Sequence, residues 1–302
     1  MIGTGLSLGA LAPRFGRASG QLNAYTYAGH VPRMVWDFET GYLSELPLPL
    51  QRASLASQTD RNGVLLQARK NEPRFAYPGG RRALLLEASA SNICHVYTVP
   101  TLNAKLSAAS PAVLSLVDAS AALSTAGLRQ LTGPYAYRIN NSANASYVFC
   151  VLESAPAGTQ THLASAWARK VSGSGTQNVV RVDGAAGEQS ASITSSGFAL
   201  YTTMASVPAN SKRMLIRVEP GSVIDFVLPW YRPSTDTSSY VLSDATGQAR
   251  AADTLILSTA LYGLATDQQF RAVRSDGEVT LQAVSGTLTL PAGKYHLLHD
   301  LP

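Results

Sequence analysis

Between residues 133 and 242 short apolar runs alternate with breakers, and this pattern constrains the fold more than any other feature of the chain. The runs are YAYRIN, SYVFCVLE, THLASAWARK, NVVRVDG, SASIT, FALYTTM, RMLIRVE and VIDFVLPW, with Gly, Pro, Ser and Asn between them. Runs at about 8–12-residue spacing suit two packed antiparallel sheets, since each strand can bury one face and then turn back. Within RMLIRVE, Met214, Ile216 and Val218 fall on one face and Arg213, Arg217 and Glu219 on the other. About eight such strands make an all-β fold, a jelly-roll β-sandwich, the expected architecture.

The flanks read differently. Residues 1–34 are an N-terminal arm, rich in Gly and Ala over its first 30 positions and without a clear period. Residues 35–132 form an N-terminal β/loop segment. Met34, Trp36 and Phe38 alternate there as a first strand, and Asn62-Gly63 marks a hairpin turn. Pro78-Gly79-Gly80 marks another turn, and an apolar run follows at 83–86. One short helix is expected within 104–131, where Ala and Leu are dense and Ser110-Pro111 offers an N-cap and first turn. The jelly roll takes 133–253. Residues 254–302 read as a small C-terminal β-meander with turns at Ser275-Asp276-Gly277 and Pro291-Ala292-Gly293. It would pack on the sandwich or on a neighbouring subunit.

Composition narrows the class. Of the 302 residues 45% are hydrophobic, enough for a real core, while only 14% are charged. Ser, Thr, Asn, Gln and Gly must wet the surface instead, which suits secreted, extracellular or viral β proteins. The net charge of +5 is scattered, with pairs at Arg69-Lys70, Arg81-Arg82 and Lys212-Arg213. A nucleic-acid partner calls for a concentrated basic face. No run of 18 apolar residues is present, so no membrane insertion is expected. The first residues lack a basic leader and are broken by glycines, so they do not read as a secretion signal. Cys94 and Cys150 are read as two free thiols.

Signals of chemistry are weak. Gly5 to Gly9 spells Gly-Leu-Ser-Leu-Gly, but a nucleophile elbow needs a strand before it and a helix after it, and Pro13 follows. His296, His299 and Asp300 stand together near the end. In a strand the two histidines would face opposite ways, so an exposed tail without metal is expected. Glu153, Asp183, Glu188, Glu219 and Asp225 form no motif for glycoside hydrolysis. Asn140 and Asn144 begin glycosylation-type triplets that carry no weight outside a eukaryotic secretory route. No catalytic residue, cofactor or metal is therefore assigned. An aromatic group has more content: Trp167, Tyr201, Trp230 and Tyr231, beside Arg169, Lys170, Asn178 and Arg232. Its rings either offer flat faces to a sugar, with Arg169 and Arg232 reading hydroxyls, or fill the sandwich core.

Four short motifs occur in a fixed order between 52 and 92: Arg52-Ala53-Ser54, Asp60-Arg61-Asn62-Gly63-Val64-Leu65, Pro73-Arg74-Phe75-Ala76-Tyr77, and Leu85-Leu86-Glu87 with Asn92. Further on stand Thr237-Ser238-Ser239-Tyr240-Val241 and Ala249-Arg250-Ala251-Ala252-Asp253. This order resembles a segment of bacteriophage tail-fibre, baseplate and head-decoration proteins that carry a carbohydrate-binding-module-like jelly roll. Departures are Trp230-Tyr231-Arg232-Pro233 where an acidic pair is usual, Ala249 in place of Thr, and no Pro after Val241. The resemblance implies a virion protein of the tail tip, baseplate or a short fibre that contacts host-surface glycans and is assembled in the bacterial host cytoplasm. It implies other virion subunits as partners and a homo-oligomer, with a trimer favoured. The alternative is a head-decoration or connecting protein with no ligand. Charged Arg52, Arg74, Glu87, Arg250 and Asp253 sit inside otherwise apolar segments. They either staple residues 35–93 to the end of the jelly roll or lie as separate surface charges.

Overall fold

The computed structural model describes residues 25–43, 48–92, 105–107, 112–155, 161–183, 189–206, 212–232, 239–241 and 248–302. The first part of the chain contains β1 (Val35–Asp37), β2 (Tyr42–Leu43), β3 (Leu50–Gln51), β4 (Ala56–Thr59), β5 (Leu65–Ala68), β6 (Arg74–Ala76), β7 (Ala83–Leu86) and β8 (Ala90–Asn92). The middle contains β9 (Lys105–Ser107), β10 (Val113–Asp118), α1 (Ser120–Thr125), α2 (Arg129–Thr132), β11 (Tyr135–Asn140), β12 (Val148–Ala155), β13 (Thr161–Ser172), β14 (Val179–Asp183), β15 (Gln189–Ser192), β16 (Ala199–Ser206), β17 (Lys212–Val218) and β18 (Val223–Arg232). The last part contains β19 (Gln248–Arg250), β20 (Thr254–Ser258), β21 (Gln269–Arg274), β22 (Gly277–Gln282), β23 (Thr287–Leu290) and β24 (Gly293–Asp300). The fold is all-β, as the spacing of the runs requires. Among the described residues no helix is long and apolar enough to cross a membrane.

The jelly roll is one antiparallel ribbon rolled up. β11 pairs with β18, β12 with β17, β13 with β16 and β14 with β15, so residues 135–183 run against 189–232. Rolling brings β13 beside β18 and β14 beside β17. Two five-stranded sheets result, ordered β10-β11-β18-β13-β16 and β15-β14-β17-β12-β9. This is the double Greek-key winding of a jelly roll. The alternation read from RMLIRVE decides the inner face: Met214, Ile216 and Val218 join Tyr137, Cys150, Ala166, Val180, Ile224, Phe226 and Tyr231 between the sheets. Cys150 is a free thiol in that core, and burial pushes its pKa up to about 12. Cys94 lies outside the described residues.

The outer face of the first sheet carries a second apolar layer. Leu123, Leu128 and Leu131 of the helical stretch pack with Leu65, Val227, Trp230, Tyr240 and Val241. β18 is therefore buried on both sides along its whole length. Gly127 makes the close approach possible. Its φ of +71° suits glycine, and a Cβ there would stand 2.9 Å from the carbonyl oxygen of Gly63. The β4–β5 hairpin, which turns at Asn62-Gly63 as expected, docks through Leu65 N–H onto the Gly127 carbonyl at 2.8 Å.

Strands from both ends of the chain share the remaining core. β24 pairs with β1, β7 and β21, while β20 pairs with β3 and β23. Met34, Trp36, Phe38, Leu84 and Leu86 pack there against Leu255, Phe270, Leu288, Tyr295 and Leu298. The strands after 254 thus pair across to 35–86 as well as with one another. Such ladders join residues more than 200 apart and leave no local trace in the sequence.

Two expectations change. Val113–Asp118, read as part of a helix, is strand β10, paired from Val113↔Asn140 to Asp118↔Tyr135. Among the described residues of that stretch, helix forms only at α1 and α2, because a neighbouring strand overrides the weak helix preference of Val113–Asp118. Ser110 and Pro111 lie outside the described residues. The tail at His296 and His299 is not exposed: β24 is an interior strand, and the two side chains are 5% and 1% accessible. His296 Nδ1 sits 3.0 Å from the Arg82 carbonyl and His299 Nδ1 2.9 Å from the Asp300 carbonyl. Burial holds the His299 pKa below the usual imidazole value.

Candidate functional site

Trp230 and Tyr231 are neighbours in β18, so their side chains leave opposite faces of the sheet. Tyr231 is fully buried between the sheets, and Trp230 is 7% accessible in the outer apolar layer, edge-on to Tyr240 at 5.7 Å. A bulge sets this arrangement. Trp167 pairs with Val227 but Ser165 pairs with Trp230, which leaves one extra residue in β18 where Leu228 adopts φ +49°. Arg232 lies over the Trp230 ring at 3.9 Å and is buried with it.

The other members of that group serve separate neighbourhoods. Trp167 is half-buried against the outer layer. Tyr201 packs on the inner core, and its hydroxyl accepts from the N–H groups of Thr194 at 3.1 Å and Ser195 at 2.9 Å. Arg169 donates twice to Asp225, at 2.9 and 2.7 Å, and Arg138 grips the same carboxylate from the other side at 2.7 and 2.9 Å. Asn178 is buried and bonds to Gly175, Ser222 and Glu219. The structure does not gather these residues into one exposed platform.

It does gather the charged five. Asp253 accepts from Arg52 at 2.9 Å, from Arg74, and from the Glu87 N–H at 2.9 Å. Glu87 pairs with Arg74 at 2.7 Å, and Arg250 stands 3.5 Å from both Glu87 and Asp253. All three arginine side chains and Asp253 are shielded from solvent. Backbone carbonyls take further donors: Arg52 reaches Ser54, Arg69 and Glu72, Arg74 reaches Ser57, and Arg250 reaches Ala88. The Ser239 hydroxyl bridges Arg74 and Glu87. Asn92 closes the arrangement, donating to Pro229 and Val241 and accepting from Tyr231 N–H at 3.1 Å. Every motif of the ordered series between 52 and 253 except the β4–β5 turn therefore contributes to one buried seam.

Charge in the seam is finely set. Burial by itself opposes ionisation of Glu87, but Arg74, the Ser239 hydroxyl and Arg250 outweigh it and hold the carboxyl below the usual range. Burial, aided by Arg74 and Arg52, pulls the Arg250 pKa below its ordinary value against Glu87 and Asp253. Three guanidiniums enclose two carboxylates and direct further donors to backbone carbonyls, an arrangement that ties the segments together.

The outer face of the second sheet has a different character. Tyr147 and Phe149 stand 5.1 Å apart with tilted rings. Arg217 lies 4.4 Å over Tyr147 and Arg181 5.8 Å over Phe149. Phe149 is the cross-strand neighbour of Arg217, and Arg217 also pairs with Glu219 at 2.8 Å. Tyr147 is 49% accessible, Arg213 is exposed, and Phe149, Val151, Arg181 and Arg217 are half-buried. Aromatic faces and guanidinium donors held on a rigid sheet can stack on sugar rings and hydrogen-bond their hydroxyl or acid groups. The alternation of β17 already placed Arg213 and Arg217 outward. What was not read was that β12 sends Phe149 to the same side.

Among the described residues, no set of three or more His, Cys, Asp and Glu could hold a metal ion. No family model and no curated protein matches the sequence. Among solved structures, the N-terminal CBM22-1–CBM22-2 tandem domain of Paenibacillus barcinonensis Xyn10C is similar over 72% of this chain and 91% of that one. The identity is 9% and the TM-score 0.34, and nothing about ligand or role follows from a likeness at that level.

Proposed function

We propose that this chain is a non-catalytic bacteriophage virion protein of the tail tip, baseplate or tail fibre whose jelly roll contacts host-surface glycans. The contact surface is the outer face of the second sheet around Tyr147, Phe149, Arg181 and Arg217. The observation that carries the glycan reading is this aromatic–arginine cluster, half open on a rigid sheet, while the corresponding face of the first sheet is filled by α1, α2 and β5. The virion assignment is supported by the ordered motif series from Arg52 to Asp253. Single-site binding would be weak and would rely on several copies in one particle.

A second reading, a head-decoration or connecting protein with no ligand, is favoured by the burial of Trp230 and Tyr231. Binding to a panel of bacterial surface polysaccharides and to intact cells separates the two, with Tyr147→Ala alongside. Tyr147 is exposed, so its loss should leave the melting temperature unchanged. Saturable binding that weakens in the variant supports the glycan reading. A well-folded sample that binds nothing on the panel refutes it and leaves the architectural role.

A further inference from the structure

The four edges of the jelly roll are unequal. β9 and β15 are short, with three and four residues, and β10 ends on Asp118. β16 has eight residues, Ala-Leu-Tyr-Thr-Thr-Met-Ala-Ser, with no charge and no proline. Its ladder with β13 runs from Thr161↔Ser206 to Ala168↔Ala199 without a bulge. Among the described residues no strand pairs with its far side. Leu200 and Met204 are 52% and 46% accessible, and Thr202 between them is exposed. Proteins that stay monomeric blunt such edges with lysine, proline, bulges or short length, and β16 carries none of these.

We propose that β16 is the contact through which two copies of this chain join, edge to edge and antiparallel, into a two-fold dimer. The sequence of β16 is self-complementary in one register. With Thr202 on the two-fold axis, Leu200 of each copy lies directly opposite Met204 of the other, and Tyr201 opposite Thr203. Directly opposed residues in an antiparallel pair share a face, so both Leu–Met contacts form on the outer side. There they continue the row in which Leu200 already pairs with the half-buried Trp167. The contact is isologous, closes on itself, and fuses the first sheets of two copies into one continuous sheet. It uses a different surface from the one assigned to glycans and stands independently of that assignment.

The register gives a sharp test in the full-length chain, in a Cys94→Ser background. Thr202→Cys places a thiol on the axis opposite its own copy, and mild oxidation or a short bifunctional thiol reagent should give a covalent dimer. Leu200→Cys alone should not, because its two thiols lie about 13 Å apart along the strands. Leu200→Cys mixed with Met204→Cys should cross-link again. In parallel, light scattering should show an even-numbered assembly that the double variant Leu200→Lys, Met204→Lys reduces to half its mass, while circular dichroism shows the fold retained. A monomeric parent, a mass unaffected by the lysines in a folded sample, or a Thr202→Cys protein that resists cross-linking overturns the proposal.

Discussion

Replacing Asp253 by Asn keeps the shape of the side chain and removes one charge from the buried seam. In the native protein that carboxylate accepts from Arg52, Arg74 and the Glu87 N–H, and Arg250 stands 3.5 Å away. Asparagine can still accept on one oxygen, but its amide now points hydrogens at a guanidinium. Three buried guanidiniums are left with Glu87 as their single carboxylate partner in the cluster. Breaking a buried pair from one side costs about 3–5 kcal/mol, because the surviving charge remains desolvated. Removing hydrogen bonds to charged groups gives a similar figure, at about 1.5–3 kcal/mol each. The expected loss is therefore about 3–5 kcal/mol in urea unfolding, with a drop in melting temperature of roughly 6 °C or more. Limited proteolysis should then cut within 52–92 before the jelly-roll strands, since that segment loses its attachment to Arg250 and Asp253. A loss below about 1 kcal/mol, with the proteolytic pattern unchanged, would refute the seam as the element joining these parts. A cycle combining Asp253→Asn with Arg52→Met should show strong coupling, because the second change removes a charge stranded by the first.

Other outcomes follow from the same geometry. The Glu87 pKa is lowered in the folded state, so its contribution is complete above the unfolded carboxylate range and lost as pH falls through the folded value. Glu87→Gln should be less stable than the parent at pH 7 and show a shallower loss of stability below about pH 4.3, read by denaturant titration. His299 behaves with the same sign at higher pH. Its folded pKa is lowered by burial, so stability should begin to fall as pH drops below about 6.5, and His299→Gln should flatten that limb. Gly127→Ala meets both an unfavourable φ of +71° and a backbone oxygen at 2.9 Å. It should cost about 2 kcal/mol or more and speed amide exchange in the β4–β5 hairpin. Equal stability would mean that the helical stretch and the hairpin are not pressed together.

Legibility in the sequence followed the range of the interactions. The strands of the jelly roll were readable because alternation is set by neighbouring residues, and the turn at Asn62-Gly63 was readable for the same reason. Val113–Asp118 was misread because its propensity was weak and its partner, β11, makes the decision. Trp230 and Tyr231 stood in one group, open between a sugar-facing platform and the sandwich core; both are buried, and the period of two already sends them to opposite faces. Phe149 sat inside an apolar run whose alternation sets it on the same side as Tyr147 but does not say which side faces water. The five charged residues were visible as anomalies in apolar segments, and the expectation that they belong together was available before any coordinates.

The sequence alone determined that this chain is all-β, where most of its strands lie, which side of β17 faces the core, and which charges were out of place. These properties depend on side-chain period, turn chemistry and composition, and all of them are local. Only the tertiary structure decided that β24 is an interior strand, that 35–86 and 254–300 share a core, and that Asp253 meets Arg52 across 201 positions. It also decided which aromatics are buried and, among the described residues, which edge stays unpaired. The physical reason is that ladder partners, bulges and burial are fixed when the ribbon rolls up, and a strand's own residues carry no record of what will lie beside them.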